Sequence, residues 1–63
     1  MTFKQAKQLQ KNDKVIDKHT KETVTVLTAV VKGAEHGLRC PVVFIEAMSP
    51  TRGWEEYLHT EIG

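Results

Sequence analysis

The stretch KNDKVIDKHTKETVTVL, residues 11–27, has the rhythm of a β-hairpin and decides the fold. Its first half predicts a short strand over residues 14–18, and the alternation of threonine and valine in its second half predicts a longer strand over residues 22–31. Hairpins of this rhythm often carry glycine where this chain has Asn12 and Lys21. After glycine, asparagine adopts a left-handed conformation most readily, so we expect the hairpin to persist; a left-handed Lys21 would be strained.

A short helix is expected before the hairpin. The segment TFKQAKQLQ predicts it over about residues 2–10, because Thr2 can cap the helix and Phe3, Ala6 and Leu9 share one face. A helix of this length does not persist alone in water, so its apolar face must pack against the rest of the chain.

Two strands are expected after the hairpin. The segment VVFIEAM predicts a strand over residues 42–48, apolar on both faces except for Glu46, as in the centre of a sheet. The segment WEEYLHTEI predicts a strand over residues 54–58, a tight turn at HTE and a short final stretch to Ile62, since the preceding turn and glycine favour a hairpin. The alternative is a helix, in which four apolar residues share one face: Trp54, Tyr57, Leu58 and Ile62.

The length of the chain predicts a single domain over residues 1–63, with room for one small core. Domains of this size often need a disulfide, a metal or a partner. A single cysteine excludes an internal disulfide, and the candidate metal ligands stand singly, without the close pairs that zinc sites use. They are His19, His36, Cys40 and His59. We therefore expect no metal and no cofactor, and dimerisation as the extra source of stability.

The segment MTFKQAKQLQ lacks the apolar centre of a signal peptide, and no apolar run approaches the ~18 residues of a membrane span. We expect a cytoplasmic protein without membrane association, and the lone cysteine fits a reducing compartment. The net charge is only +1, but residues 1–32 hold seven lysines against three carboxylates, whereas residues 33–63 hold two arginines against five glutamates. Such asymmetry can mark an electrostatic binding surface.

The segment LQKNDKVIDKHTKETVTV, residues 9–26, resembles the opening of SH3-like small β-barrels, including KOW-type modules. In those barrels a G-D-x-V motif is followed by an acidic turn and a V-x-V strand. The short N-terminal helix and the closing glycine–aromatic and HTEI motifs make the chain similar to short proteins of phages and Gram-positive bacteria, over residues 9–62. The resemblance implies a mainly β fold, an SH3-like small barrel of four to five antiparallel strands with a short N-terminal helix.

Nothing in the sequence has the pattern of an enzyme. Cys40 lies beside Arg39, which could activate a thiol, but no histidine is adjacent to it, and a lone cysteine at the start of a strand is more often a buried apolar residue. Glu55 and Glu56 point to opposite faces if they lie in a strand. There is no glycine-rich phosphate loop, and so small a core leaves little room for a substrate cavity. We expect no catalysis and no small-molecule substrate.

A basic face for nucleic acid is one candidate site. The resemblance implies it, because SH3-like and KOW-type barrels commonly bind RNA, DNA or ribosomal and transcription proteins. Its members are Lys11, Lys14, Lys18, Lys21, Lys32 and Arg52. The near-neutral net charge and the lack of interleaved aromatic residues count against it, and lysines at sheet edges often serve only to prevent aggregation.

A protein- or peptide-binding surface formed by Arg52, Trp54 and Tyr57 is the other candidate site. In a small domain a single tryptophan is more often the main core residue, so burial of Trp54 in the core is the alternative to a role in binding. Met48 and Val31 are candidates for an exposed apolar patch used in self-association. We expect a non-enzymatic interaction or adaptor module that binds a protein partner or a second copy, with nucleic-acid binding as the alternative.

Overall fold

A computed structural model of the chain describes residues 1–33 and 41–63. The elements are helix α1 (Phe3–Ala6), strands β1 (Lys14–Ile16), β2 (Thr23–Lys32), β3 (Val42–Ser49) and β4 (Gly53–Leu58), and a 3₁₀ helix (His59–Glu61). The four strands form one open antiparallel sheet in the order β1-β2-β3-β4. The prediction of a mainly β fold with four antiparallel strands and a short N-terminal helix is confirmed.

Helix α1 is a single turn, shorter than the predicted residues 2–10. Thr2 caps it as predicted: Thr2 Oγ1 accepts a hydrogen bond from the Gln5 N–H, and the Gln5 side chain accepts one from the Thr2 N–H, both at 3.1 Å. After Ala6 the backbone tightens, and the Leu9 N–H donates to the Ala6 carbonyl three residues back. Ala6 is nevertheless fully buried and Leu9 packs against the core, so the predicted apolar face is used.

Strands β1 and β2 form the predicted hairpin, with Val15 opposite Val24. Asn12 and Lys21 have φ angles of 77° and 67°, as expected for residues that replace glycine. The Lys21 N–H donates to the Asp17 carbonyl at 2.7 Å, which closes the turn. The turn therefore imposes a left-handed conformation on a lysine that does not favour it.

The core lies on one face of the sheet. Its fully buried side chains come mainly from the two central strands: Val24, Val26, Val43, Ile45 and Ala47. Val15 from β1, Tyr57 from β4, Ala6 from α1 and Ile62 from the end of the chain complete it.

The segment after β4 returns to β1. The Ile16 N–H donates to the Gly63 carbonyl at 3.1 Å, the Gly63 N–H donates to the Ile16 carbonyl at 2.9 Å, and Asp17 and Ile62 form an antiparallel bridge. The strand, tight turn and short final stretch predicted for this segment are confirmed, and the helical alternative is wrong because residues 54–58 lie within β4. The chain end thus covers the outer edge of β1.

The turn between β3 and β4 is built by Ser49. Its Oγ accepts hydrogen bonds from the N–H groups of Thr51, at 3.3 Å, and Arg52, at 3.2 Å. Gly53, the first residue of β4 after this three-residue loop, has a φ of 77°, a left-handed conformation that glycine adopts without strain. The turn brings Arg52 against the β1–β2 turn.

Within residues 1–33 and 41–63, no helix has the length and apolar character needed to cross a membrane.

We expect Lys21→Gly to stabilise the protein by about 1 kcal/mol, because glycine adopts a left-handed conformation without the strain that lysine carries there. In a domain of this size the melting temperature should rise by roughly 4–8 °C. Lys18→Gly is the matched control: Lys18 lies in the same turn without a positive φ, so glycine there should destabilise the protein. A lower melting temperature for Lys21→Gly would show that this turn carries no strain.

Candidate functional site

Asp17 is the centre of a hydrogen-bond cluster between the two turns. Its side chain is inward-facing and the residue is only 2% exposed. Oδ1 accepts hydrogen bonds from the backbone N–H groups of His19, at 2.8 Å, and Thr20, at 3.1 Å. Oδ2 accepts from Arg52 Nη2 at 2.6 Å and from the Tyr57 hydroxyl at 2.9 Å. One carboxylate therefore joins the β1–β2 turn, the β3–β4 turn and strand β4.

The cluster keeps Asp17 charged. Burial by itself would raise the pKa of the Asp17 carboxyl, but the hydrogen bonds from Thr20, Tyr57, Arg52 and His19 outweigh it and hold that pKa well below its usual range. Burial and the hydrogen bond to Asp17 raise the pKa of Tyr57. With the pKa of Asp17 lowered and that of Tyr57 raised, Asp17 stays ionised and Tyr57 stays protonated near pH 7.

Arg52 is surrounded by carboxylates. Besides the contact with Asp17, its Nε lies 3.7 Å from a Glu22 oxygen and its Nη1 lies 3.9 Å from a Glu55 oxygen. Its Nη2 also donates to the Tyr57 hydroxyl at 2.9 Å. The hydrogen bond to Asp17 is the largest cause of a raised pKa for the Arg52 guanidinium. Arg52 was predicted for both candidate sites, but in the structure its charge is paired with carboxylates of the fold itself.

Trp54 and Tyr57 lie on opposite faces of β4, so the structure does not bring the predicted aromatic surface together. Tyr57 is 6% exposed, faces the core side and contacts Arg52. Trp54 is 52% exposed on the outer face, and its indole N–H donates to a Glu46 carboxylate oxygen at 3.1 Å. The interpretation of the tryptophan as the main core residue is wrong; Ile45 and Ile62 are the largest fully buried side chains.

The outer face of the sheet includes three rows of side chains that cross the central strands. The first row is Lys14, Thr25, Met48 and Trp54; the second is Thr28, Glu46 and Glu56; the third is Val30, Phe44 and Leu58. Met48 is 44% exposed directly opposite Trp54, so these two side chains form an exposed apolar pair. Val31, the other predicted patch residue, is also exposed, but it pairs with the inward-facing Val43 and therefore lies on the other face.

The predicted basic residues are spread over several parts of the surface. Lys14 lies on the outer face, where its Nζ donates to Thr25 Oγ1 at 2.6 Å. Lys18 lines a different groove, beside Asp17. The remaining lysines lie in the two turns that flank β1 and at the far end of β2: Lys11, Lys21 and Lys32. Lys14 lies in β1 and Lys18 lies in the turn after it, and the two side chains adjoin different grooves.

Within the described residues, the other side chains with potential chemistry do not form a second site. His59 is buried, and its Nδ1 accepts a hydrogen bond from the Val43 N–H at 3.2 Å, which is a structural role. Cys40, Arg39 and His36 lie outside the described residues. Among the residues that the structure describes, no group of three or more histidine, cysteine or carboxylate side chains could hold a metal ion.

Asp17 was absent from the predicted sites, although the sequence contains a signal for it. In KVID, the period of two places Asp17 on the same face as the buried Val15. An aspartate at a buried position, directly before a turn, is typical of a side chain that accepts hydrogen bonds from the turn backbone. The partners of Asp17, Arg52 and Tyr57, are 35 and 40 residues away from it in the sequence, and no local sequence pattern predicts these contacts.

Comparisons of the chain with protein-family models, with curated proteins and with solved structures found no match. The site is therefore interpreted from its own geometry.

We expect the stability of the fold to fall as the pH falls below about 4. Because the pKa of Asp17 is lower in the folded chain than the ~3.9 of an unfolded aspartate, its contribution is complete above that value and is lost as acid protonates the folded carboxylate. Tyr57→Phe removes one donor to this carboxylate and should cost about 1.5 kcal/mol at pH 7. The same substitution should also make the free energy of unfolding depend less on pH between pH 5 and pH 2, a range chosen to span ~3.9.

The measurement is thermal unfolding as a function of pH, followed by circular dichroism. Thr20→Ser is a matched control, since it keeps the backbone N–H that binds Asp17 and should leave the pH dependence unchanged. Parallel curves for the native chain and Tyr57→Phe would contradict the role given to this cluster.

Proposed function

We propose that the chain is a non-catalytic interaction module that binds a protein partner through the outer face of its sheet, centred on Trp54. The observation that carries the proposal is the exposure of Trp54 and Met48, the apolar pair on neighbouring strands. Aromatic residues and methionine are enriched in protein interfaces, and contiguous exposed apolar surface commonly marks such a site.

The energetics of Trp54 support this function. Half of a tryptophan side chain of ~250 Å², at ~25 cal/mol per Å², corresponds to about 3 kcal/mol of hydrophobic stabilisation that the isolated fold does not gain. A partner that covers Trp54 would gain this free energy. The indole is also held in place by its hydrogen bond to Glu46, so less side-chain entropy is lost on binding.

The resemblance to SH3-like small barrels supports the same class of function, since such barrels commonly act through their surfaces. The cluster around Asp17 supports a non-catalytic role, because each of its polar side chains is occupied by partners within the fold. The outer face carries Glu46 and Glu56 in the row next to Trp54, which favours a partner with basic groups around an apolar centre.

Nucleic-acid binding is the second candidate function, and one observation favours it. In residues 1–33 and 41–63, the ion pairs within 4 Å all involve Arg52 and none involves a lysine. Four exposed lysines along β1 and its flanking turns are therefore electrostatically available: Lys11, Lys14, Lys18 and Lys21. Each phosphate contact they made would release counterions and weaken steeply with salt.

We expect Trp54→Ala to lower capture of the protein partner at least about tenfold, because a central tryptophan typically contributes 2 kcal/mol or more to an interface. The measurement is quantitative crosslinking and affinity capture from an extract of the cells that make the protein. Val31→Ala is the control: it removes a comparably exposed apolar side chain from the opposite face. Equal capture by Trp54→Ala and the native chain, with both folded, would contradict the proposal.

The nucleic-acid alternative predicts retention on heparin or DNA at about 50 mM salt, with a steep loss as salt increases. Replacement of both Lys14 and Lys18 by glutamate should then abolish retention, whereas the same replacement should leave binding of a protein partner at Trp54 unchanged. Absence of retention at this low salt concentration would exclude the alternative.

A further inference from the structure

Within the part of the chain that the structure describes, one edge of the sheet has no strand beside it. β4 pairs with β3 through six residue pairs, and no other segment of residues 1–33 and 41–63 forms a ladder with its second edge. The opposite edge of the sheet differs, because the chain end at Gly63 pairs with Ile16 of β1. A free edge presents backbone donors and acceptors that can pair with an added strand.

The position of Glu61 shows which backbone groups of β4 face this edge. The Leu58 N–H donates to Glu61 Oε1 at 2.8 Å, so it points away from β3. Groups that face one side alternate along an antiparallel strand. The N–H and C=O groups of Glu56 and Trp54 therefore point to the free edge, whereas those of Glu55 and Tyr57 face β3.

Two grooves meet along this edge. The larger, of about 530 Å³, lies on the inner side and is rich in carboxylates: Asp17, Glu55, Glu56 and Glu61. Its cations are Arg52 and Lys18, and the Arg52 charge is already matched by Asp17 and its neighbours. The smaller, of about 180 Å³, contains the apolar side chains of Phe44 and Leu58. Glu56, Tyr57 and Glu61 border both grooves.

We propose that the free edge of β4 accepts an additional strand from the protein partner, an extended segment in which basic residues alternate with apolar ones. The alternation follows from strand geometry: successive side chains enter opposite sides, so basic residues would reach the acidic groove while apolar residues lie over Phe44 and Leu58. This inference rests on the proposed function and adds the chemistry of the partner and its mode of binding.

A second copy of the chain is a poor occupant of the same edge. If two copies paired through β4 in an antiparallel, two-fold symmetric way, the backbone N–H and C=O groups that face the free edge of one copy would have to bond to the same kind of groups of the other copy. The centred registers then place Glu55 opposite Glu55 or Glu56 opposite Glu56 of the other copy. Like charges directly opposite one another destabilise a sheet. Charge complementarity therefore favours a basic segment from another protein.

The first test uses a synthetic peptide of about seven residues with alternating lysine and valine, long enough to span the six residues of β4. We expect the backbone amides of Trp54 and Glu56 to exchange with solvent at least about tenfold more slowly when the peptide is bound. The amides of Glu55 and Tyr57, which already face β3, serve as internal controls. A peptide with glutamate in place of lysine should not bind.

The second test removes one donor from the edge. Glu56→Pro eliminates an N–H that faces away from β3, a position where proline is tolerated in an edge strand, and should weaken peptide binding at least about tenfold. Glu56→Gln removes the charge but keeps the donor, so it should weaken binding less and retain the amide protection. If Glu56→Pro fails to fold, two peptides replace it, one N-methylated at the lysines and the other at the valines. Only one of these two sets of N–H groups faces β4 in an antiparallel pair, so one methylated peptide should lose binding and the other should keep it.

The outcomes separate the mode of binding from the function. Peptide binding without protection of Trp54 and Glu56, or equal binding by both methylated peptides, would overturn strand addition while leaving the Trp54 interface intact. Protection of these amides together with unchanged partner capture by Trp54→Ala would support strand addition and contradict the outer face as the main contact.

Discussion

The four-donor environment of the Asp17 carboxylate is the constraint on which the arrangement of this small sheet depends. The donors come from the β1–β2 turn, from Arg52 in the β3–β4 turn and from Tyr57 in β4. Asp17 also forms the bridge to Ile62 at the end of the chain. A buried charge is stable only when it is paired and hydrogen-bonded, so the three segments must meet in one arrangement if Asp17 is to remain buried.

The inner and outer sides of β4 have different roles. Tyr57 is buried on the inner side and bound to Asp17, which anchors the strand. Trp54 on the outer side is exposed, yet its indole is oriented by Glu46. Anchored backbone with an exposed, oriented aromatic side chain is well suited to binding, because little conformational entropy is lost when a partner arrives. The same anchoring holds the free edge of β4 in an extended form.

Turn chemistry explains why the order of elements was predictable. Asn12, Lys21 and Gly53 all have positive φ, and each lies at the start of a strand or two residues before it, where the sequence predicted a turn. The period of two in β2 and β3 likewise reports burial directly, since their inward valine and isoleucine residues form the core. The helix was predicted too long because its capping signal is local, whereas its end depends on the route the chain takes into the hairpin.

The candidate site was harder to predict from the sequence than the strands and turns. Composition alone places a lone tryptophan in the core of a small domain, but Trp54 shares the outer face with Glu46 and Glu56, and the inner position is occupied by Tyr57. The positive charge of Arg52 is likewise matched by carboxylates that lie far away in sequence. By itself, the sequence determined the strands, their turns and the small β class, because these depend on residues close together along the chain. Only the tertiary structure decided which aromatic residue is exposed, which charge is internally paired and which edge is free, because those properties depend on contacts between distant segments.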